Sequence, residues 1–174
     1  SNRALLLAAM AEGASTVRGL LDAEDTRLMM GCLDALSIGH SMGVTPSPHT
    51  PVPDELRLEG VGRAFVPNGD TLFVGTAGTV ARFLSAALCA AGSSVRIDGS
   101  PRMRERPMGA LLQALRDQGA RFTCEGADMA LPLRLEAHEG LRGGTIELER
   151  PRSSQFVSAL LLSALWANEP TRIV

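Results

Sequence analysis

The apolar positions of RALLLAAMA, residues 3–11, recur at helical spacing, and Ser1-Asn2 can cap that start. STVRGLL then reads as a short strand, and a second helix covers about 23–37, beginning near Asp22 and ending by Gly39. Four of the ten prolines crowd into VTPSPHTPVPDE, which reads as an ordered loop or linker. Strands near 56–60 and 71–74 follow. The cycle then returns: GTVARFLSAALCAAG is a helix, SSVRIDG a strand, and PMGALLQALRDQGA a helix with Pro107 at its first position. RFTCEG, LPLRLEA and GTIELE read as short strands, SSQFVSALLLSALWA as a helix and TRIV as a strand.

This recurrence says more than any one element. Arg18, Arg96 and Arg172 fall at matching strand positions about 77 residues apart, which predicts a repeated supersecondary unit. The helices at 4–11, 80–91 and 156–166 are apolar nearly all round, so they suit an interior position. The expectation is an α/β domain of related units packed around shared buried helices. A chain of 174 residues can bury one sizeable core or two small lobes. It opens on a helix without an initiator Met and stops within a strand pattern, so it reads as a piece of something longer.

Charge narrows the partners. The formal net charge is −2, the pI is near 5.9 and aromatics make up 3% of residues, which argues against a nucleic-acid or membrane partner. All 17 basic residues are Arg, as codon bias in a GC-rich genome would give. Cys32, Cys89 and Cys124 lack metal-ligand spacing and read as reduced core thiols of a cytoplasmic protein. His40, His49 and His138 lie in loops without ligand-spaced partners, so no metal is expected.

The chemistry gathers at helix starts. Three buried helices open on SNR, GTAGTVAR and SSQ, combining small or hydroxylated residues with a polar side chain that can reach outward. One such start is an ordinary cap. Three at equivalent repeat positions, with Arg3 and Arg82 in the first turn of two of them, aim free N–H groups and dipole ends at one surface and predict an anion site. GTAGT, residues 75–79, lets backbone approach a ligand but is neither a Walker loop nor G-x-G-x-x-G. In GSPRMRERP an extended segment would put Arg102 and Arg106 on one side and Arg104 on the other. Arg104, beside Glu105, reads as a solvated or salt-bridged face, and Arg102 as the candidate for capture of a phosphate or carboxylate.

Taken together, SNRALLLAAMAEG, GTAGTVARFLSAAL, DGSPRMRERPMGALLQAL and SSQFVSALLL resemble the 5-enolpyruvylshikimate-3-phosphate synthase family over the whole chain. The resemblance implies an α/β fold of repeated βαβαββ units around buried parallel helices, an inside-out barrel. Residues 1–174 would be most of one such domain, with three pseudo-repeats of which the first and last are incomplete, and a second, C-terminal domain would be absent. It implies transfer of the enolpyruvyl group of phosphoenolpyruvate to the 5-hydroxyl of shikimate 3-phosphate through a tetrahedral intermediate, in aromatic amino acid biosynthesis, with no metal or organic cofactor.

Carried over, Arg3, Ser153, Ser154 and Gln155 match the residues that bind shikimate 3-phosphate, Gly78 and Arg102 those that meet phosphoenolpyruvate, and Gln155 touches both ligands. The family's K-S-x-S-N-R motif begins here at S-N-R, and Thr76 stands where GNAGT has asparagine. The acid/base residues of the second domain are missing, so the chain alone is expected to be inactive. Two rivals carry less. UDP-N-acetylglucosamine enolpyruvyl transferase places a reactive cysteine in the loop before Arg-Pro, where this chain has GSPRMRERP. A non-catalytic anion- or RNA-binding module is disfavoured by the acidic balance and the scarcity of aromatics.

Overall fold

The computed structural model describes residues 1–42, 46–47, 49–148 and 153–174 and shows an α/β chain in which helices and strands alternate. It opens with α1 (Asn2–Met10), β1 (Glu12–Arg18), α2 (Glu24–Ala35), β2 (Gly39–His40) and β3 (Glu55–Val61). A second run holds β4 (Thr71–Phe73), α3 (Gly78–Ala91), β5 (Arg96–Asp98), the helical turn α4 (Pro101–Arg104), α5 (Gly109–Asp117), β6 (Phe122–Cys124) and β7 (Leu133–Leu135). The last run is β8 (Gly144–Ile146), α6 (Ser154–Ser163), a 3-10 turn at Ala164–Trp166 and β9 (Thr171–Ile173).

The strands form three sheets, ordered β1-β3-β2, β4-β5-β7-β6 and β8-β9. Among the described residues only β4–β5 and β8–β9 are parallel, and each of these pairs is joined through a helix, α3 or α6, because parallel neighbours cannot be linked by a tight turn. The order β5-β7-β6 in the second sheet reproduces β1-β3-β2 in the first: helix, strand, then two strands folding back antiparallel. Thr71 faces Arg96 across one parallel pair and Thr145 faces Arg172 across the other. Arg18, by contrast, closes β1 opposite Glu55, so the spacing of about 77 residues tracks helix–strand units rather than one shared strand position.

The core is built around α3. From Gly78 to Ala90 every residue except Thr79 is buried, and small side chains at Ser85, Ala86, Ala87 and Ala90 let neighbouring helices approach. α3 lies along α6 and also touches α1, α2 and α5, with Phe83 and Phe156 among the largest fully buried side chains. Burial of each leucine in this interior contributes about 1.5–3 kcal/mol. α3 ends at Gly92, whose φ of +70° only glycine adopts freely, and whose missing side chain makes room for the His138 carbonyl.

Four expectations shift. The first strand starts at Glu12 rather than Ser15, because its register against β3 begins with Glu12 opposite Val61, and it stops at Gly19, where φ is +67°. Ser1 is the N-cap residue of α1, yet its hydroxyl accepts from Leu21 N–H (2.8 Å) instead of capping the helix. Pro107 lies outside α5, which starts two residues later after non-helical Met108; the Pro107 carbonyl accepts from Arg82 Nη2 at 3.0 Å. The segment carrying Arg102 and Arg104 is helical, not extended: Pro101 opens the turn, and Ser100 caps it by accepting from Met103 N–H at 3.2 Å. The proline-rich stretch lies partly outside the described residues, as does residue 149 of GTIELE; the described part of the former is loop and turn up to Asp54, with Glu55 opening β3.

Candidate anion-binding site

α1 and α3 begin without a side-chain cap, so their first N–H groups remain open to a ligand, whereas Ser153 caps α6 by accepting from Gln155 N–H at 3.2 Å. These three starts meet. Arg3, in the first turn of α1, donates from Nη2 to Ser158 Oγ of α6 (2.9 Å) and stacks over the Phe83 ring of α3, 5.6 Å from its centroid. Arg82, one turn into α3, donates from Nη1 to Gln155 Oε1 (2.6 Å) and lies 5.2 Å from the Phe156 ring centroid. Gln155 completes the link by donating from Nε2 to Thr79 Oγ1 (2.9 Å).

Two cavities open beside the start of α3. One, of about 370 Å³, is walled by Arg3 and Asn2 of α1, Asp25 and Thr26 of α2, and Thr79 and Phe83 of α3. The other, of about 400 Å³, is lined by Thr76, Arg102, Met103 and Arg106. Arg106, from the wall of the second cavity, reaches the start of α3: Nη1 donates to the Thr76 carbonyl at 3.0 Å, and a Cβ on Gly78 would lie 2.6 Å from that same nitrogen and 2.5 Å from Arg82 Nη1. Glycine at 78 therefore admits two guanidinium groups against the start of α3, where any side chain would push them off.

The local charges are uneven. Burial, and after it the repulsion of Arg106, lowers the pKa of Arg82, whose Nε is buried with no hydrogen-bond partner among the described residues. An anion between the two would relieve that repulsion. Burial raises the carboxyl of Asp25, with Glu24 adding to the effect and Arg106 opposing it. Thr76 turns its hydroxyl to Glu24 Oε1 at 3.3 Å.

The structure thus gathers Arg3, Gly78 and Gln155 at one place and puts Arg102, exposed, in the neighbouring cavity. Ser153 and exposed Ser154 sit at the start of α6, immediately before Gln155. Sequence reasoning counted Arg82 toward the anion site without giving it a ligand, weighed Arg106 only as a neighbour of Arg102, and passed over Thr79 and Asp25. Helical spacing pointed to Arg82, which follows Gly78 by four residues in α3. Arg104 is taken up elsewhere, with Nε and Nη2 both donating to Asp98. Among the described residues no group of three or more His, Cys, Asp or Glu side chains could hold a metal ion, and no helix is long and apolar enough to cross a membrane.

The starts of α1, α3 and α6, with guanidinium groups beside them and two cavities at hand, form a candidate anion site in an α/β chain. The family model for EPSP synthase (3-phosphoshikimate 1-carboxyvinyltransferase) matches residues 1–174, and the chain belongs to that family. It is 41% identical over 174 residues to the 3-phosphoshikimate 1-carboxyvinyltransferase of Serratia proteamaculans and 40% identical to that of Aliivibrio fischeri, covering 99% of this chain in both cases. The solved EPSP synthase of Acinetobacter baumannii superposes with a TM-score of 0.82 at 27% identity, over 98% of this chain and 38% of that one. The chain spans about 39% of the length of the curated relatives it matches. These likenesses do not favour the UDP-N-acetylglucosamine reading.

Proposed function

We propose that this chain is the amino-terminal, substrate-holding part of an enzyme that transfers the enolpyruvyl group of phosphoenolpyruvate to the 5-hydroxyl of shikimate 3-phosphate and releases phosphate. The supporting observation is the meeting of α1, α3 and α6 at Arg3, Arg82 and Gln155. Both substrates carry several negative charges, which open N–H groups and guanidinium forks recognise.

On this reading Arg3, Ser153, Ser154 and Gln155 hold shikimate 3-phosphate, and the Gly78 backbone with Arg102 receives phosphoenolpyruvate. Arg106, pressed against Gly78 and bonded to Thr76, is better placed than Arg102 to share that second task. The residues present bind and orient; the proton-transfer groups belong to a second domain that closes over the ligands. The chain would contribute most of one domain of three related units. Its two buried thiols, Cys32 and Cys89, suit a reducing cytoplasm.

Amide NMR tests the site. Shikimate 3-phosphate added to the labelled chain is expected to shift the signals of Gly78, Ser153 and Ser154; a folded chain in which saturating ligand leaves all three unmoved overturns the assignment. In the complete enzyme, Arg102→Ala and Arg106→Ala are each expected to weaken phosphoenolpyruvate use more than shikimate 3-phosphate binding. Equal losses would contradict the roles given.

A further inference from the structure

Three arginines crowd one short turn, and one of them points away from the site. We propose that Asp98 is the positioning residue of this corner: through its grip on Arg104 it sets where Arg102 and Arg106 present their guanidinium groups. The inference rests on the reading of that corner as an anion site.

Asp98 ends β5, is buried, and has both oxygens fully engaged. Oδ1 accepts from Gly99 N–H (2.7 Å) and Arg104 Nε (2.9 Å); Oδ2 accepts from Arg104 Nη2 (2.8 Å) and Arg96 Nη1 (2.9 Å). A two-bonded arginine–carboxylate contact fixes orientation as well as distance. Arg96 is itself held by Glu125 Oε2 (2.6 Å), whose other oxygen accepts from Arg134 Nε of β7 (2.9 Å), so the grip is anchored in the sheet. Burial alone would raise the Asp98 carboxyl, but the hydrogen bonds from Arg104, Gly99 and Arg96 outweigh it and hold the group ionised.

The backbone of the same residue reaches the glycine-rich turn. Val74 N–H donates to the Asp98 carbonyl (2.8 Å), and Ser100 N–H donates to the Gly75 carbonyl (2.9 Å). Asp98 thus ties together the turn that leads into Gly78 and the turn that carries the arginines. Because Arg104 lies between Arg102 and Arg106, pinning it fixes both neighbours, and the Arg106 N–H bond to the Met103 carbonyl (3.1 Å) continues the constraint. Arg104 serves as a strut, which leaves two charges rather than three facing the cavity.

The 174-residue chain with nitrogen-labelled arginine tests this, with far-UV circular dichroism and Trp166 fluorescence as folding controls. Arg104→Gln leaves Asp98 its bonds to Arg96 and Gly99. It is expected to speed water exchange at the Arg106 side chain and to weaken inorganic phosphate binding, followed at the Gly78 amide, about fivefold. Shikimate 3-phosphate shifts at Ser153 and Ser154 stay as they were, which a general loosening would not allow. Arg104→Lys keeps the charge but one bond instead of two and gives an intermediate rate, and it decides the matter should Arg104→Gln not fold. Unchanged Arg106 exchange in a folded variant overturns the inference. If phosphate fails to bind even the unaltered chain, the anion-site reading falls, while Arg106 exchange still judges the role of Asp98.

Discussion

Arg82 shows how far a single residue of the site departs from ordinary surface chemistry. It is buried, it has another guanidinium for a neighbour across Gly78, and two of its nitrogens are spent on Gln155 and the Pro107 carbonyl. Such a charge is tolerated where a negative ligand completes the balance. Asp25 is the carboxylate of the first cavity, and its raised pKa has a consequence for stability. An acid whose native pKa lies above its unfolded value keeps its proton longer in the fold. The folded state therefore loses stability as pH rises from about 4 through the raised native value. Asp25→Asn removes that loss, so its thermal midpoint is expected above that of the unaltered chain at about pH 7 and level with it at about pH 3. A lower midpoint at neutral pH would mean that the attraction of Arg106, rather than burial, governs the group. Arg3, Gly78 and Gln155 were legible in the sequence because each sits in a helix-start motif; Arg106 was not, because its partner is a backbone carbonyl 30 positions away.

Elements differ in how openly the sequence declares them. α3 is apolar on all sides and bounded by a glycine turn and Gly92, so both its existence and its interior place follow from local pattern. Leu84→Ala on this helix is expected to cost about 2–5 kcal/mol, measured by urea unfolding on Trp166 fluorescence, whereas Leu161→Ala on the exposed face of α6 should stay within about 0.5 kcal/mol. Similar losses at both sites would contradict the placement of α3 at the centre. α4 was illegible for the opposite reason. Its alternating arginines mimic a strand, and the features that make it helical are a single serine cap and a proline, backed by the Asp98 grip from a neighbouring strand. β1 shifted by three residues because its ends are set by pairing with β3, which lies across the intervening helix and loop. Long-range register of this kind is not written in the strand itself.

At the level of the whole molecule, the site belongs to no one unit. α1, α3 and α6 come from different stretches of the chain, and each contributes a start that would be an ordinary helix end if it stood alone. What brings them to one place is the packing of α3 against α1 and α6, so the free energy of core burial also positions the candidate anion site. The coupling runs in both directions: a ligand that binds only when the three starts are together must stabilise the fold that holds them. Shikimate 3-phosphate is therefore expected to raise the thermal midpoint of the chain in a concentration-dependent way, adding about 2.7 kcal/mol when present at about 100 times its dissociation constant. Arg3→Ala is the informative variant, because Arg3 is exposed and its loss removes one bond to Ser158 and the stack on Phe83 without opening the core. It should leave the ligand-free midpoint within a few degrees, as a surface change of about 0.5 kcal/mol does, while abolishing most of the ligand-induced rise. A rise that persists undiminished in Arg3→Ala would place the bound anion away from the start of α1, and the three helix starts would then owe their meeting to packing alone.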